Sequence, residues 1–334
     1  MIYCKSCIMP TTRPGTKLNN EGVCLACTNY NNRKNIDWNE KLKELRTLLL
    51  LGNTSKHGEY ACAIPVSGGK DSHYLVWLVQ ELGIKTPLLI RVGDGFGISE
   101  VGQHNIKNLS DRFGCNMIEY TPSIEWYREI IRKQFEELGN FPIVDQLIYT
   151  IPYNICAYMN IPILLYGEDS SYEYGTSEMP VNAGDYVASM FKQSSIKPIK
   201  SNYFTTVLYA SHYVPWDGRK NYELAKKYGF KELEWNRKGY VENYDSLDLL
   251  GWGVSNFLKY RKFGFGRSTD ILSRWIRAGY IDRDKALEMA NIHDGGLDPI
   301  ILEDFLRFTR YKENEFWNIV DKWTNREIFT NKDT

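Results

Sequence analysis

The six residues Ser67-Gly68-Gly69-Lys70-Asp71-Ser72 constrain this chain more than any other stretch. They follow an apolar run, Ala61 to Val66, and precede a helical pattern from His73 to Leu82, so they read as a tight turn between a strand and a helix. Two adjacent glycines let the backbone approach an anion with no Cβ in the way. The amides that open the following helix point at that anion, and Lys70 adds positive charge. The stretch therefore reads as a phosphate cradle. Its spacing is not that of the Walker loop, which places four residues between its first glycine and Gly-Lys-Ser/Thr. Ser67 and Ser72 can donate hydroxyls to phosphate oxygens, and Lys70 can neutralise a departing group. Asp71 is placed either for a magnesium ion or for ordering the loop and capping the helix.

Such a cradle needs a sheet to carry it. Pro87 to Val92, Asn116 to Tyr120 and Ile161 to Tyr166 read as further strands, separated by helical stretches from about Glu100 to Phe113, Ser123 to Leu138 and Asp145 to Asn160. Strands alternating with helices predict an α/β fold with a doubly wound parallel sheet, whose ligands gather at the carboxyl ends of the strands. That places Ser67 to Ser72, Gly93 to Phe96 and Gly167 to Asp169 on one edge. Gly167 joins the cradle as a nucleotide contact, and Glu168 is a candidate for magnesium or for gripping substrate. The segment Ser170 to Tyr213 is Tyr- and Ser-rich and weakly periodic, which predicts an ordered but irregular substrate loop. Tyr174 and His212 are its candidate contacts. From Trp216 onward the pattern is helical, over Asn221 to Tyr228, Leu247 to Tyr260, Asp270 to Ala278, Arg283 to Ile292, Pro299 to Thr309 and Lys312 to Trp323. Charges favourable to a helix end account for Lys259, Arg261 and Lys262 but not for the loop Phe263-Gly264-Phe265-Gly266-Arg267. Lys259, Tyr260 and Arg267 are thus candidate substrate contacts, with Arg267 offering a planar fork to a phosphate or carboxylate.

Cys4, Cys7, Cys24 and Cys27 form two Cys-x-x-Cys knuckles with 16 residues between them, the spacing of a tetrahedral four-thiolate zinc site. Four thiolates leave no open ligand position, so the expected role is structural; an iron–sulfur cluster uses the same ligand set. Residues 1–33 are too few for a core of their own, and the metal would supply their folding energy. Asp37 then caps a helix whose Leu42, Leu45, Leu48 and Leu49 are expected to pack this module against the α/β domain, with Gly52 to Gly58 as a polar linker. The expected organisation is a metal module (1–33), a linker helix (34–58), a nucleotide-binding α/β domain (59–215) and a helical C-terminal region (216–334). The charge is balanced, with 41 basic and 41 acidic residues, which lacks the footprint of a nucleic-acid binder. No secretion signal and no bilayer-length apolar run is present, which predicts a cytoplasmic protein without a membrane partner.

The loop Ser67 to Ser72 resembles the SGGKDS signature of the PP-loop ATP pyrophosphatases, which split ATP between its α and β phosphates and adenylate their substrate. The cysteine knuckles, this loop, Gly167-Glu168 with Glu173-Tyr174-Gly175, and Lys259-Tyr260 to Gly264-Phe265-Gly266-Arg267 together resemble the N-acetyl sugar amidotransferases of bacterial surface-glycan synthesis. The resemblance runs from about Ile2 to Phe329. It implies ATP and magnesium as cofactors, an N-acetyl sugar, free or nucleotide-linked, as substrate, and conversion of its acetamido group to acetamidino. A glutaminase nucleophile needs a Gly-flanked elbow or a mature N-terminus, and Cys62, Cys115 and Cys156 have neither. Ammonia is therefore expected free in solution or from a separate glutaminase partner, as the resemblance also implies. Two alternatives stand beside this reading: a tRNA thiolase of the same superfamily, which needs a sulfur-carrying cysteine and a basic RNA surface, and a non-enzymatic zinc-ribbon adaptor with a vestigial nucleotide site.

Overall fold

The computed structural model describes residues 1–55, 58–167, 170–178, 181–201 and 204–330. Its sheet is made by β1 (Cys62–Pro65), β2 (Leu88–Val92), β3 (Met117–Tyr120), β4 (Ile163–Tyr166) and β5 (Thr206–Tyr209), all parallel, in the order β3-β2-β1-β4-β5. β1 and β4 are short, continuous apolar runs, and β2 is one interrupted only by buried Arg91, because helices cover both faces of the sheet. Ala63 of β1 stands opposite both Leu88 and Leu164. The strand order reverses between β1 and β4, which opens a crevice beyond their carboxyl ends. The phosphate loop leaves β1 and Gly167 leaves β4, so both flank that crevice.

Fourteen helices surround the sheet among the described residues. They are α1 (Leu25–Asn32), α2 (Trp38–Ser55), α3 (Lys70–Glu81), α4 (Glu100–Phe113), α5 (Ile124–Leu138), α6 (Ile143–Met159), α7 (Ser170–Tyr174), α8 (Ala183–Gln193), α9 (Gly218–Lys227), α10 (Gly253–Phe263), α11 (Arg267–Ala278), α12 (Arg283–His293), α13 (Pro299–Thr309) and α14 (Glu313–Trp323). None of the described helices is long and apolar enough to cross a membrane.

Three local expectations are corrected. The segment expected to be an irregular loop contains α7, α8 and β5; α8 buries Ala183, Val187 and Met190, and β5 is an edge strand with a half-exposed face, so neither shows a long apolar period. Helix α2 continues through the expected linker to Ser55, because Gly52 lets it close on the sheet; a Cβ there would lie 2.7 Å from Ile163 Cδ1. Asp37 caps it, Oδ1 accepting from the amides of Asn39 (3.0 Å) and Glu40 (3.1 Å). Its Leu45 and Leu49 are buried in the sheet core with Ile64 and Val76, not against the cysteine module. That module packs instead on the C-terminal helices, with Ile8 against Leu272, Ala286 and Ala290, and the cysteines around Phe265.

The C-terminal helices also close the ligand edge of the sheet. Phe96, in the loop after β2, packs against Phe305 and Phe308 of α13, and Asp304 accepts the amides of Gly97 (2.8 Å) and Gly251 (3.1 Å). Helix α10 starts at Gly253 rather than Leu247, because the chain from Glu242 to Asp248 is spent crossing above the phosphate loop.

Candidate functional site

The phosphate loop is held from within. The amide of Ser67 donates to Ser72 Oγ (3.1 Å) and the amide of Gly69 to Ser67 Oγ (3.3 Å). Both hydroxyls act as acceptors here, which leaves their protons for a phosphate oxygen. Gly68 takes φ of +86°, and a Cβ on it would stand 2.6 Å from Ile106 Cγ1 of α4. Gly68→Ala is therefore expected to cost about 1–3 kcal/mol in stability and to weaken ATP binding, read by thermal melting and calorimetric titration. Unchanged ATP affinity in that variant would remove the loop from the binding site.

His73 locks the loop from one turn inside α3. It is fully buried, with Nδ1 3.0 Å from the Gly69 carbonyl and Nε2 3.0 Å from Asn108 Nδ2. An amide nitrogen can only donate, so Nε2 accepts and Nδ1 donates to Gly69. Burial lowers this imidazole to about 4. The unfolded chain then takes up a proton near pH 6.5 before the folded one does, so stability falls as pH drops from 6.5 toward 4. A ring-proton NMR titration of His73 should show its midpoint near pH 4; a midpoint near 6.5 would contradict this account.

Lys70 Nζ pairs with Asp71 Oδ2 at 2.6 Å, and Asn221 of α9 donates to Asp71 Oδ1 at 2.7 Å. Asp71 thus positions the lysine and ties α3 to α9. The start of α9 passes so close that a Cβ on Gly218 would lie 3.4 Å from Lys70 Cε. Three recesses converge here. One, over the loop, is bounded by Ser67 to Asp71 below and Tyr244 to Asp248 above. A second, apolar one opens between the ends of β1, β2 and β4, among Ile90, Val92, Tyr127, Leu147 and Tyr166, with Asp94 and Asp248 at its edge. Burial raises Asp94 to about 8 and Asp248 to about 6. The third, of about 720 Å³ and partly open to solvent, lies between α9, α11 and the residues after β4. The first and third share Lys70.

Of the other residues singled out in the sequence, Arg267 borders the third recess but gives its fork to Asp245, with Nε–Oδ2 2.6 Å and Nη2–Oδ1 3.1 Å. Burial works against the Asp245 carboxylate, yet Arg267 holds it below the usual range. Tyr174 OH takes the remaining Arg267 nitrogen at 2.9 Å. His212 lies against the rings of Tyr172 and Tyr209. Lys259 pairs with buried Asp270, and Tyr260 packs against Phe329 and Gly295; neither borders these recesses. A Cβ on Gly167 would stand 2.8 Å from Trp216, so the glycine lets that indole close over the end of β4. Glu168, like Asp169, lies outside the described residues. Sequence reading missed the acidic crossing from Glu242 to Asp248 and the cations Arg33, Arg219, Arg274 and Arg277 of the third recess. Their signal is purely tertiary.

The four cysteines are buried, and their sulfurs lie within 4.8 Å of one another, with Cys4–Cys27 at 4.0 Å and Cys7–Cys24 at 3.7 Å. A tetrahedral ion at thiolate bond lengths places its sulfurs about 3.8 Å apart, so the set fits one ion. The amides of Ser6, Cys7 and Cys24 approach Cys4 Sγ at 3.2–3.5 Å, and amides so placed favour a thiolate. Magnesium finds no comparable cage of carboxylates among the described residues. It needs only one or two alongside substrate phosphates, and Asp71 and Asp248 border the loop recess.

These features define a parallel α/β protein with a glycine-rich, lysine-bearing turn at its switch point and a buried four-cysteine module. Residues 211–333 match the family described as "LPS biosynthesis protein WbpG-like, C-terminal domain". No curated protein matches the chain. Among solved structures it is similar to the NH3-dependent NAD synthetase of Campylobacter jejuni, at 13% identity over 85% of this chain and 96% of that one, with a TM-score of 0.38. It is similar to the NMN synthetase of Francisella tularensis at 13% identity, over 84% and 97% of the two chains, with a TM-score of 0.35. The U34-tRNA thiolase NcsA of Methanococcus maripaludis, solved with its [4Fe-4S] cluster, is similar at 14% identity over 93% and 96%, with a TM-score of 0.35.

Proposed function

We propose that this chain is an ATP-dependent amidotransferase that converts the acetamido group of an N-acetylated sugar to an acetamidino group for a bacterial surface glycan. The observation that carries the reading is the meeting of the phosphate loop with a second, polar and aromatic recess at Lys70. One recess suits the phosphates of ATP, the apolar pocket beside it suits the base, and the other recess suits an acceptor. The match of residues 211–333 to a lipopolysaccharide-biosynthesis family supports a sugar as that acceptor.

An amide carbon resists ammonia because its oxygen leaves poorly. In the proposed reaction the acetamido oxygen attacks the α-phosphorus, the bond to the bridging oxygen breaks, and pyrophosphate departs. Ammonia then adds to the activated carbon, loses a proton, and expels that oxygen as part of AMP. Lys70 and the amides opening α3 stabilise the charge that develops on pyrophosphate, from positions fixed before reaction. Magnesium on the phosphates would add charge neutralisation. Cys62, Cys115 and Cys156 are all buried, and burial pushes the Cys62 thiol up to about 12 and the Cys115 thiol to about 11. Such thiols are inert, which favours ammonia from solution or from a glutaminase partner and disfavours sulfur transfer. Zinc is the ion proposed for the four cysteines, because a multi-iron cluster would spread thiolates bound to separate irons farther apart than these.

Purified protein incubated with ATP, magnesium, ammonium and a panel of N-acetyl sugars should release AMP and pyrophosphate. The sugar product should be lighter by the difference between oxygen and NH. AMP release that needs RNA and no sugar would overturn the reading.

A further inference from the structure

The second step of the proposed reaction releases a proton. Addition of ammonia to the activated carbon makes a C–N bond and leaves a positive charge on the new nitrogen. AMP departs readily only once that nitrogen has given up a proton, because its lone pair then helps to expel the leaving oxygen. A base within reach of the nitrogen speeds this step.

Among the described residues, the recess that meets the phosphate loop at Lys70 is bordered by three carboxylates, Glu173, Asp217 and Glu242, and by no histidine or cysteine. Two of the three are engaged. Asp217 Oδ1 accepts the amides of Arg219 (3.0 Å) and Lys220 (3.3 Å), and its Oδ2 accepts the Tyr280 hydroxyl (2.6 Å). Glu173 pairs with Arg274 through Oε1, and its Oε2 is enclosed by protein. Glu242 differs. Tyr244 OH donates to its Oε1 at 2.6 Å, while Oε2 has no hydrogen-bond partner among the described residues and is not one of the enclosed polar atoms. The donor is itself fixed, since the Tyr244 ring stacks on Tyr222 with centroids 3.9 Å apart, and Tyr222 OH is anchored on Glu232 (2.5 Å). One oxygen of Glu242 is therefore held and the other is available. Burial raises this carboxyl above its usual range and Asp245 pushes the same way, while Lys70, the Tyr244 hydroxyl and Arg274 pull it back. The result is a carboxylate more basic than one in water.

We propose that Glu242 is the base that takes the proton shed by the ammonia nitrogen after it adds to the activated carbon. The proposal rests on the amidotransferase reading and names the residue that carries its second step. Glu242 Oε2 accepts one proton from the new nitrogen; the bond between the carbon and the oxygen of AMP breaks, AMP keeps that oxygen and the electron pair, and the amidine remains as its cation. Glu242 returns the proton to water as the products leave.

The test uses the whole protein with ATP, magnesium, ammonium and N-acetylglucosamine, N-acetylgalactosamine and N-acetylmannosamine, free and uridine-diphosphate-linked. Single-turnover quenching follows pyrophosphate and amidine separately. Glu242→Gln keeps an acceptor for Tyr244, so melting and calorimetric ATP binding should match the wild type. Its pyrophosphate should appear within about threefold of the wild-type rate, while amidine formation falls by about a hundredfold or more. Hydroxylamine forms a more acidic adduct that gives its proton directly to water, so in its place the loss should shrink to about tenfold or less. At constant free ammonia, the wild-type amidine rate should fall as pH drops through the raised Glu242 carboxyl value, and the variant should lack this acid limb.

An unchanged amidine rate, equal losses of pyrophosphate and amidine, or an undiminished loss with hydroxylamine would each overturn the proposal. Should Glu242→Gln not fold, the wild-type profile decides, and an amidine rate flat across the carboxylate range would overturn it. Wild-type protein that makes no amidine from any of these sugars would overturn the amidotransferase reading along with this one; amidine made at the wild-type rate by Glu242→Gln would overturn this one alone.

Discussion

Replacing Lys70 with alanine lowers sugar- and ammonia-dependent AMP release by about a hundredfold or more, the scale lost when a fixed charge-stabilising donor is removed. The lysine's ammonium is held 2.6 Å from Asp71, its stem passes the bare backbone at Gly218, and it borders both the loop recess and the recess proposed for the acceptor. The fold should survive, because the side chain contributes to no apolar cluster. Lys70→Arg is the informative partner. The larger guanidinium must fit the gap against Gly218 and still reach a phosphate, so it should recover only a small part of the activity. Circular dichroism and melting would confirm folding, and quenched-flow measurement of AMP would give the rate. A loss within threefold would remove Lys70 from the reaction.

Stripping the metal from the cysteine module, or replacing Cys7 with serine, lowers the melting temperature by roughly 10 °C or more. The apolar cluster of this module consists of the four cysteines, Met9, Ala26 and Phe265 from the distant α10–α11 turn. Without the ion, residues 1–33 keep only this small cluster, the packing of Ile8 on Leu272, Ala286 and Ala290, and hydrogen bonds to their neighbours. The damage should spread, since Arg283 donates to the carbonyls of Cys4 and Cys7, and Thr12 to that of Phe263. Elemental analysis of the purified protein should find close to one zinc per chain and no stoichiometric iron. A chelated protein that melts unchanged would contradict the structural role.

The parts of the molecule readable in the sequence are those whose causes are local. A Gly-Gly turn after an apolar run, two cysteine knuckles, and the capped amphipathic helices from Pro299 to Trp323 all carry their reasons within a few residues. β5 was not legible, because an edge strand such as Thr206–Tyr209 is specified by its partners Ile163 to Tyr166 rather than by its own pattern. The same holds for the site. Arg267 stood out in its Gly-rich turn, but Asp245, which takes its fork, lies 22 residues away in a stretch with no periodicity. Arg33 and Arg219 come from opposite halves of the chain, and only the fold brings them to one wall. Charge that is balanced along a sequence can be unbalanced in space.

The cysteine module and the recess proposed for the acceptor share a partition. Asn29 of α1 donates to the carbonyls of Ser171 (2.9 Å) and Ser177 (3.0 Å), Arg13 holds the carbonyl of Tyr174, and Arg277 spans from Cys7 Sγ to the carbonyl of Glu173. An ion bound by the thiolates and a ligand bound against Glu173 would therefore order the same short segment. Thermodynamic reciprocity then applies: whatever factor the ion adds to ligand affinity, the ligand adds to retention of the ion. A saturating acceptor would slow escape of the ion to a chelator, and depletion of the ion would raise the acceptor concentration needed for half-saturation. A part of the chain with no open coordination position for chemistry would in this way set how much substrate the enzyme requires.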